Sequence, residues 1–135
     1  MEKKILVLLT MLAFFTLQVF AKTCKSSATV TDKPTATISV FNNFYSPECL
    51  TVTRNQGIVW EWQVDNTHTV TSNDGPFGSC NNVPNPEVNF VGSGVGNVFP
   101  TDGPITPKGD NLFYKCNVGS HCRNGMSGQI TVIDG

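Results

Sequence analysis

Hydrophobic and polar residues alternate in several short segments of this 135-residue chain, most clearly in residues 58–64, which read I-V-W-E-W-Q-V. Every second residue there is apolar, and the positions between them include Glu61 and Gln63. A period of two residues is that of a β-strand with one buried face. We therefore predict a strand whose two tryptophans pack in a core between sheets. The expected buried face carries Ile58, Trp60, Trp62 and Val64.

Shorter segments predict further strands, separated by turns rich in Gly, Pro, Asn, Thr and Ser. Residues 35–41 alternate like the first segment, with Ala36, Ile38 and Val40 on one face. Further strands are expected at residues 50–53, 88–91, 111–115 and 128–133. No convincing helical pattern follows residue 21. Many short strands joined by turns predict an all-β fold, a Greek-key β-sandwich or barrel with antiparallel strands.

The first 21 residues have the organisation of a secretory signal peptide. Lys3 and Lys4 supply a positive start, a mostly apolar stretch follows, and Val19-Phe20-Ala21 offers a cleavage site. The alternative is an uncleaved N-terminal anchor, but the apolar stretch is short and interrupted for a spanning helix. We expect removal of residues 1–21. The remainder, residues 22–135, is then a single domain of 114 residues (135 − 21) that is secreted or otherwise extracytoplasmic, without stable membrane insertion.

The charge of the mature chain argues against a nucleic-acid partner. Removal of Glu2, Lys3 and Lys4 leaves 7 of 9 basic and 9 of 10 acidic residues, a net charge of −2. No basic patch is evident, as a nucleic-acid-binding protein would need. Enzymatic activity is not expected either. The sequence lacks G-x-S-x-G and H-E-x-x-H motifs, and its two histidines are too few for the clusters of a multicopper oxidase.

A short run near the C-terminus collects three residues that can bind a soft metal ion. Cys116, His121 and Met126 are spaced as C-x4-H-x4-M, and the other histidine, His68, lies upstream. A thiolate, two imidazoles and a thioether are the ligand set of a type 1 copper site. Each residue also has an ordinary use, as a buried thiol or disulfide half, a surface histidine or a core methionine. Their joint occurrence at this spacing favours the metal site.

The cysteine count indicates disulfide bonds. Five cysteines in an exported chain leave one over after pairing. If Cys116 binds a metal ion, the remaining four allow three connectivities, which the count alone leaves open. These four are Cys24, Cys49, Cys80 and Cys122.

The pattern from about residue 36 to residue 133 resembles the cupredoxin (plastocyanin-like) family. The segments that carry the resemblance are F44-Y-S-P47, L50-T-V-T53, G57-I-V-W60, N66-T-H-T-V70, F113-Y-K-C116 and G125-M-S-G-Q-I-T-V132. The resemblance implies a cupredoxin-like fold and one type 1 copper ion. The implied ligands are His68, Cys116 and His121 in one plane, with Met126 at long axial range. In that family the edge of the C-terminal histidine, here His121, is the port for electrons.

Two features of the ligand run resemble the phytocyanin-like branch of the family. One is the ligand spacing, and the other is Cys122, which directly follows His121. In phytocyanins this cysteine pairs with one downstream of the first histidine. The resemblance therefore implies a Cys80–Cys122 disulfide, which leaves Cys24 and Cys49 as the second pair.

One position departs from the family pattern. Thr69 follows His68, where cupredoxins often place an asparagine whose side chain ties the two ligand loops together. Threonine is shorter, and the sequence leaves open whether its hydroxyl reaches the other loop. The rigidity of the site and its reduction potential depend on the answer.

The resemblance implies an exported monomer that passes single electrons to a redox partner protein, which the sequence does not identify. Copper delivery and a structural role at the cell surface are the alternatives. Met126 is the only methionine of the mature chain, which argues against a Met-rich delivery site. Structural relatives usually lose ligands, whereas this chain has all four. Pro76, Phe77 and Gly78 form a candidate apolar rim for docking the partner.

Overall fold

The computed structural model describes residues 21–101, 103–105 and 110–135. All of the predicted signal peptide except Ala21 lies outside the described residues. The described ranges contain no helix, and hence none that could cross a membrane. In chain order the strands are β1 (Ala28–Val30), β2 (Thr35–Phe41), β3 (Phe44–Ser46), β4 (Cys49–Thr53), β5 (Gly57–Trp62), β6 (His68–Asn73), β7 (Asn89–Gly92), β8 (Val98–Pro100), β9 (Asn111–Lys115) and β10 (Ser127–Ile133). The predicted all-β class is confirmed.

The strands form two mixed sheets. The larger has the order β1-β4-β10-β9-β6-β7, and the smaller has the order β3-β2-β5-β8. The expectation of antiparallel strands is wrong in part, because β2 pairs in parallel with β5, and β4 pairs in parallel with both β1 and β10. In chain order β4 comes between β3 and β5, which both lie in the smaller sheet, while β4 itself lies in the larger one. Because the chain passes through the larger sheet before it returns, β5 runs in the same direction as β2. Alternation of residue types carries no information about strand direction.

One hydrophobic core joins the two sheets, and β5 supplies its largest side chains. Ile58, Trp60 and Trp62 are fully buried, as the alternation predicted. Val64 lies beyond the end of β5 and is only half-buried, so the predicted buried face ends one position too late. Full burial of one large apolar side chain contributes roughly 1.5–3 kcal/mol. The tryptophans therefore contribute strongly to the packing of the two sheets.

The strand that positions the first histidine, β6, is one that alternation does not predict. Its residues from 68 to 72 are all buried. Val70 lies in the core, while the segment after the strand returns over it, with the Asn73 side-chain amide donating to the carbonyls of Ser79 and Asn81. A strand buried on both faces has no period of two. The other unpredicted strands, β1, β3 and β8, have three residues each, too few to show a period.

Two disulfide bonds connect distant parts of the chain, and they are the two pairs expected above. Cys24 is bonded to Cys49, which attaches the N-terminal segment to the start of β4. Cys80 is bonded to Cys122, which attaches the segment after β6 to the C-terminal ligand run. Cys116 is the one free cysteine among the described residues, and it is buried.

Candidate metal centre

The centre lies where β6 begins and β9 ends. These two strands are antiparallel neighbours, with Thr71 opposite Lys115. This register brings His68, the first residue of β6, close to Cys116, the first residue after β9. The chain then turns through residues 116–126, which we call the ligand loop, before it enters β10. His121 lies within this loop and returns to the same place.

Three side-chain donor atoms meet there. The Sγ atom of Cys116 lies 3.5 Å from Nδ1 of His121 and 3.9 Å from Nδ1 of His68, and the two Nδ1 atoms are 3.2 Å apart. The centre of a triangle with these sides lies about 2 Å from each corner, close to the roughly 2.0–2.3 Å of metal bonds to imidazole nitrogen and thiolate sulfur. The donor set and its spacing therefore fit one small metal ion. This is the one cluster of potential metal ligands from three or more His, Cys, Asp or Glu residues found in the described part of the chain.

His68 is held in a form that suits metal binding. Its side chain is buried, and burial together with the nearby His121 lowers the pKa of His68. The neutral imidazole, which has a free lone pair, is therefore favoured at neutral pH. The ring nitrogen that faces away from the cluster, Nε2, lies 3.0 Å from Oδ1 of Asn42. Sequence reasoning missed Asn42, and the Asn42-Asn43 pair between two phenylalanines signals only a hairpin turn.

Thr69 makes hydrogen-bonding contacts through three groups, two of which connect it to the loop that carries Cys116. Its backbone N–H points at Sγ of Cys116, 3.4 Å away. Its hydroxyl accepts a hydrogen bond of 2.7 Å from the backbone N–H of Asn117. Its carbonyl accepts a buried hydrogen bond of 2.6 Å from the Tyr45 hydroxyl. The threonine hydroxyl therefore reaches the second loop, and the tie between the loops is present without asparagine.

Met126 closes the ligand loop. Its backbone N–H donates to the carbonyl of His121 at 2.9 Å, and its carbonyl accepts from the backbone N–H of Cys116 at 3.1 Å. The Met126 side chain is fully buried. Gly125 precedes it with a φ of 105°, which favours glycine, although a Cβ atom there would meet nothing within 4 Å. Backbone conformation, and not space, therefore explains the glycine.

Lys115 anchors the outer side of the ligand loop. Its side chain is almost completely buried, and its ammonium group donates to the side-chain oxygens of Asn82 and Asn117. Burial lowers the pKa of Lys115, and the charge of Cys116 acts in the opposite direction. These contacts join the segment after β6 to the loop that carries Cys116. The sequence pattern gave no signal for this role.

The exposed side of the centre is at His121, which is partly accessible whereas His68 and Cys116 are about 1% exposed. The expected apolar rim is wrong in its main residue. Phe77 is only 2% exposed, and the Lys22 ammonium lies 4.8 Å from the centre of its ring. Phe77 therefore packs under the N-terminal segment and offers no docking surface.

The fold resembles those of several solved structures. An auracyanin from Roseiflexus castenholzii superposes with a TM-score of 0.57 at 17% identity, over 75% of this chain and 98% of that one. A purple cupredoxin from Nitrosopumilus maritimus gives a TM-score of 0.51 at 20% identity, over 73% and 99%. A Cu-containing nitrite reductase from Thermus scotoductus gives 0.51 at 17% identity, over 79% of this chain and 28% of that one. No protein-family model and no curated protein matches the sequence.

These likenesses identify the fold as that of the cupredoxins. Within that fold, the chain carries a His-Cys-His cluster at the start of β6 and in the ligand loop, in which His68 and Cys116 are buried and His121 is partly accessible. The closer similarity to the phytocyanin-like branch stays a prediction.

Proposed function

We propose that the protein is a small exported blue-copper protein that carries single electrons through one type 1 copper site. In this proposal His68, Cys116 and His121 are the strong ligands, and Met126 is the weak axial one. The observation that carries the proposal is the convergence of one thiol and two imidazole Nδ1 atoms on a point about 2 Å from each, where the three mutual distances are 3.2, 3.5 and 3.9 Å. Copper bound there would alternate between Cu(I) and Cu(II) with the thiolate as its strongest donor.

The surroundings of the ligands support rapid electron exchange. The Thr69 N–H near Sγ would stabilise negative charge on the Cys116 thiolate. Backbone hydrogen bonds from Met126 to both His121 and Cys116 restrict movement of the ligand loop. A ligand set that cannot rearrange keeps a similar geometry in both oxidation states. Partial exposure of His121 gives electrons a short route to a partner protein.

Copper delivery fits less well. A delivery site has to release its ion to another protein, which is easier from accessible ligands. Here His68 and Cys116 are each about 1% exposed. The mature chain also has a single methionine. A purely structural role leaves the convergence of three donors without an explanation.

Catalysis is also not proposed. The nitrite reductase neighbour is a much longer chain, of which the aligned part is 28%.

A zinc ion could occupy the same nitrogen and sulfur donors as copper. Spectroscopy separates copper from zinc directly.

Export and the monomeric state belong to the same proposal. Two disulfide bonds suit an oxidising compartment outside the cytoplasm. Cleavage after Ala21 would leave Lys22 at the N-terminus. The redox partner is proposed as a protein.

The deciding experiment is an optical and EPR spectrum of the exported protein after addition of Cu(II). An intense band at about 600 nm with a narrow copper hyperfine splitting is expected for a thiolate site of this kind. The Cys116→Ser variant should lose the band, while the Ser120→Ala variant, altered at an exposed position of the same loop, should keep it. A weakly absorbing wild-type complex would mean that Cys116 is not a ligand.

A further inference from the structure

Asn42 lies at the tip of the hairpin between β2 and β3, far along the chain from the ligand loop. The hairpin is well defined, because Phe41 pairs with Phe44 and their rings stack at a centroid distance of 4.8 Å. Asn43 has a φ of 64°, a conformation that asparagine tolerates in such a turn. These contacts fix where the Asn42 side chain leaves the backbone.

The Asn42 side chain reaches the first histidine of the cluster. Its Oδ1 atom lies 3.0 Å from Nε2 of His68. An amide oxygen can only accept a hydrogen bond, so Nε2 must carry the ring proton. A neutral imidazole has one N–H, which leaves Nδ1 of His68 with its lone pair directed at the other donors, Cys116 and His121.

We propose that Asn42 is a positioning residue of the metal centre, which selects the metal-binding tautomer of His68 and fixes the plane of its ring. The expected effect of Asn42 on metal affinity applies to any ion at this site, whereas its expected effect on the reduction potential rests on the proposed electron-carrier function. The neutrality of the amide matters as well. A carboxylate in its place would make the imidazole more basic and would favour Cu(II) over Cu(I).

The first test is the tautomer of His68 by nitrogen NMR in the exported protein without metal, at a pH where both histidines are neutral. The wild type should have its proton on Nε2. The Asn42→Ala variant should show a substantial Nδ1–H population and bind Zn²⁺ about 10–100-fold more weakly. The matched control is Asn43→Gly, which keeps the positive φ of the turn and leaves the amide of Asn42 in place. It should behave like the wild type.

The second test is the Asn42→Asp variant, which keeps an oxygen acceptor. It should retain the Nε2–H tautomer, bind Zn²⁺ at least as tightly as the wild type and lower the copper reduction potential. If Asn42 only stabilised the hairpin, the Asn42→Asp variant would not keep the wild-type tautomer of His68 while the Asn42→Ala variant showed a mixture. The proposal is overturned if alanine leaves both the tautomer and the Zn²⁺ affinity unchanged, or if the wild type carries its proton on Nδ1. A colourless copper complex alongside the expected tautomers would overturn the electron-carrier function and leave the role of Asn42 standing.

Discussion

Thr69→Val is the sharpest test of how the ligand-bearing segments are held together. Valine has the shape of threonine but lacks the hydroxyl that accepts from the Asn117 N–H at 2.7 Å and contacts the Thr71 hydroxyl at 3.1 Å. Thr69 is about 8% exposed, whereas Asn117 is exposed, so water can replace the threonine hydroxyl only in part. The variant therefore leaves the Asn117 amide without its partner at the start of the ligand loop. The backbone N–H of residue 69 is unchanged, so its contact with Cys116 should remain.

Because Asn117 is exposed and the hydrogen bond is only partly buried, the expected cost is that of one lost hydrogen bond, about 0.5–1.5 kcal/mol in the free energy of unfolding. In a domain of 114 residues each kcal/mol corresponds to roughly 4 °C in Tm, so the melting temperature should fall by about 2–6 °C. Urea unfolding of the metal-free protein measures the loss as a shift of the midpoint at constant slope. The copper-loaded variant should still show its intense visible band, because the thiolate and its N–H contact are intact.

Two comparison variants make the test specific. Thr69→Ser keeps the hydroxyl and should recover most of the stability. Thr37→Val replaces an exposed threonine on β2 and should change stability by less than about 0.5 kcal/mol. If Thr69→Val unfolds at the wild-type urea concentration, or if serine is as destabilising as valine, the hydroxyl does not tie the loops together.

Three further outcomes are expected. Met126→Gln should keep copper but lower the reduction potential measured by voltammetry, because an amide oxygen is a harder axial ligand than a thioether. An unchanged potential and an unchanged spectrum would exclude Met126 as a ligand. Replacing Cys80 and Cys122 by serine should lower the free energy of unfolding by about 4 kcal/mol, given their separation of 42 residues. It should also weaken Cu(II) retention in competition titrations, whereas removal of the Cys24–Cys49 disulfide should reduce stability and leave Cu(II) retention unchanged. Burial lowers the pKa of His68 from 6.5, so below about pH 6.5 the unfolded state binds more protons than the folded state. The metal-free protein should therefore lose stability as the pH falls towards the folded pKa. Urea unfolding at pH 7.5 and 5.5 should show this loss of unfolding free energy in the wild type and a smaller loss in His68→Gln.

The strands that the sequence predicts best are those with one buried face. In β2 and β5 the alternation of apolar and polar residues matches the burial found in the structure. In β6 it fails, because the strand is covered on both sides and its buried residues are mostly polar. The polar residues there have partners, such as the Val88 N–H that donates to the Ser72 hydroxyl. Such partners depend on tertiary contacts that no local pattern contains.

The candidate site divides in the same way. The spacing of Cys116, His121 and Met126 within one loop is local information. It pointed to Cys116 and His121, which the fold brings to His68, while the axial role of Met126 stays a prediction. Asn42 is 26 residues from His68 and belongs to the other sheet, so only the packing of the hairpin against β6 reveals it. Lys115 reads as a surface residue of a strand, and only the return of residues 74–88 over the sheet buries its ammonium group.

The restraints on the donors also bear on what the centre can do. Each donor is held by a group other than a metal ion: His68 by Asn42, Cys116 by the N–H of Thr69, and His121 by its backbone bond to the carbonyl of Val118. Because these restraints do not depend on a bound ion, little of the binding energy has to be used to assemble the site. The same restraints oppose the opening that release of an ion to another protein would require, and the adjacent disulfide adds to them. A centre held in this way suits an ion that stays bound and changes only its charge, which is the physical reason for preferring electron transfer to copper delivery.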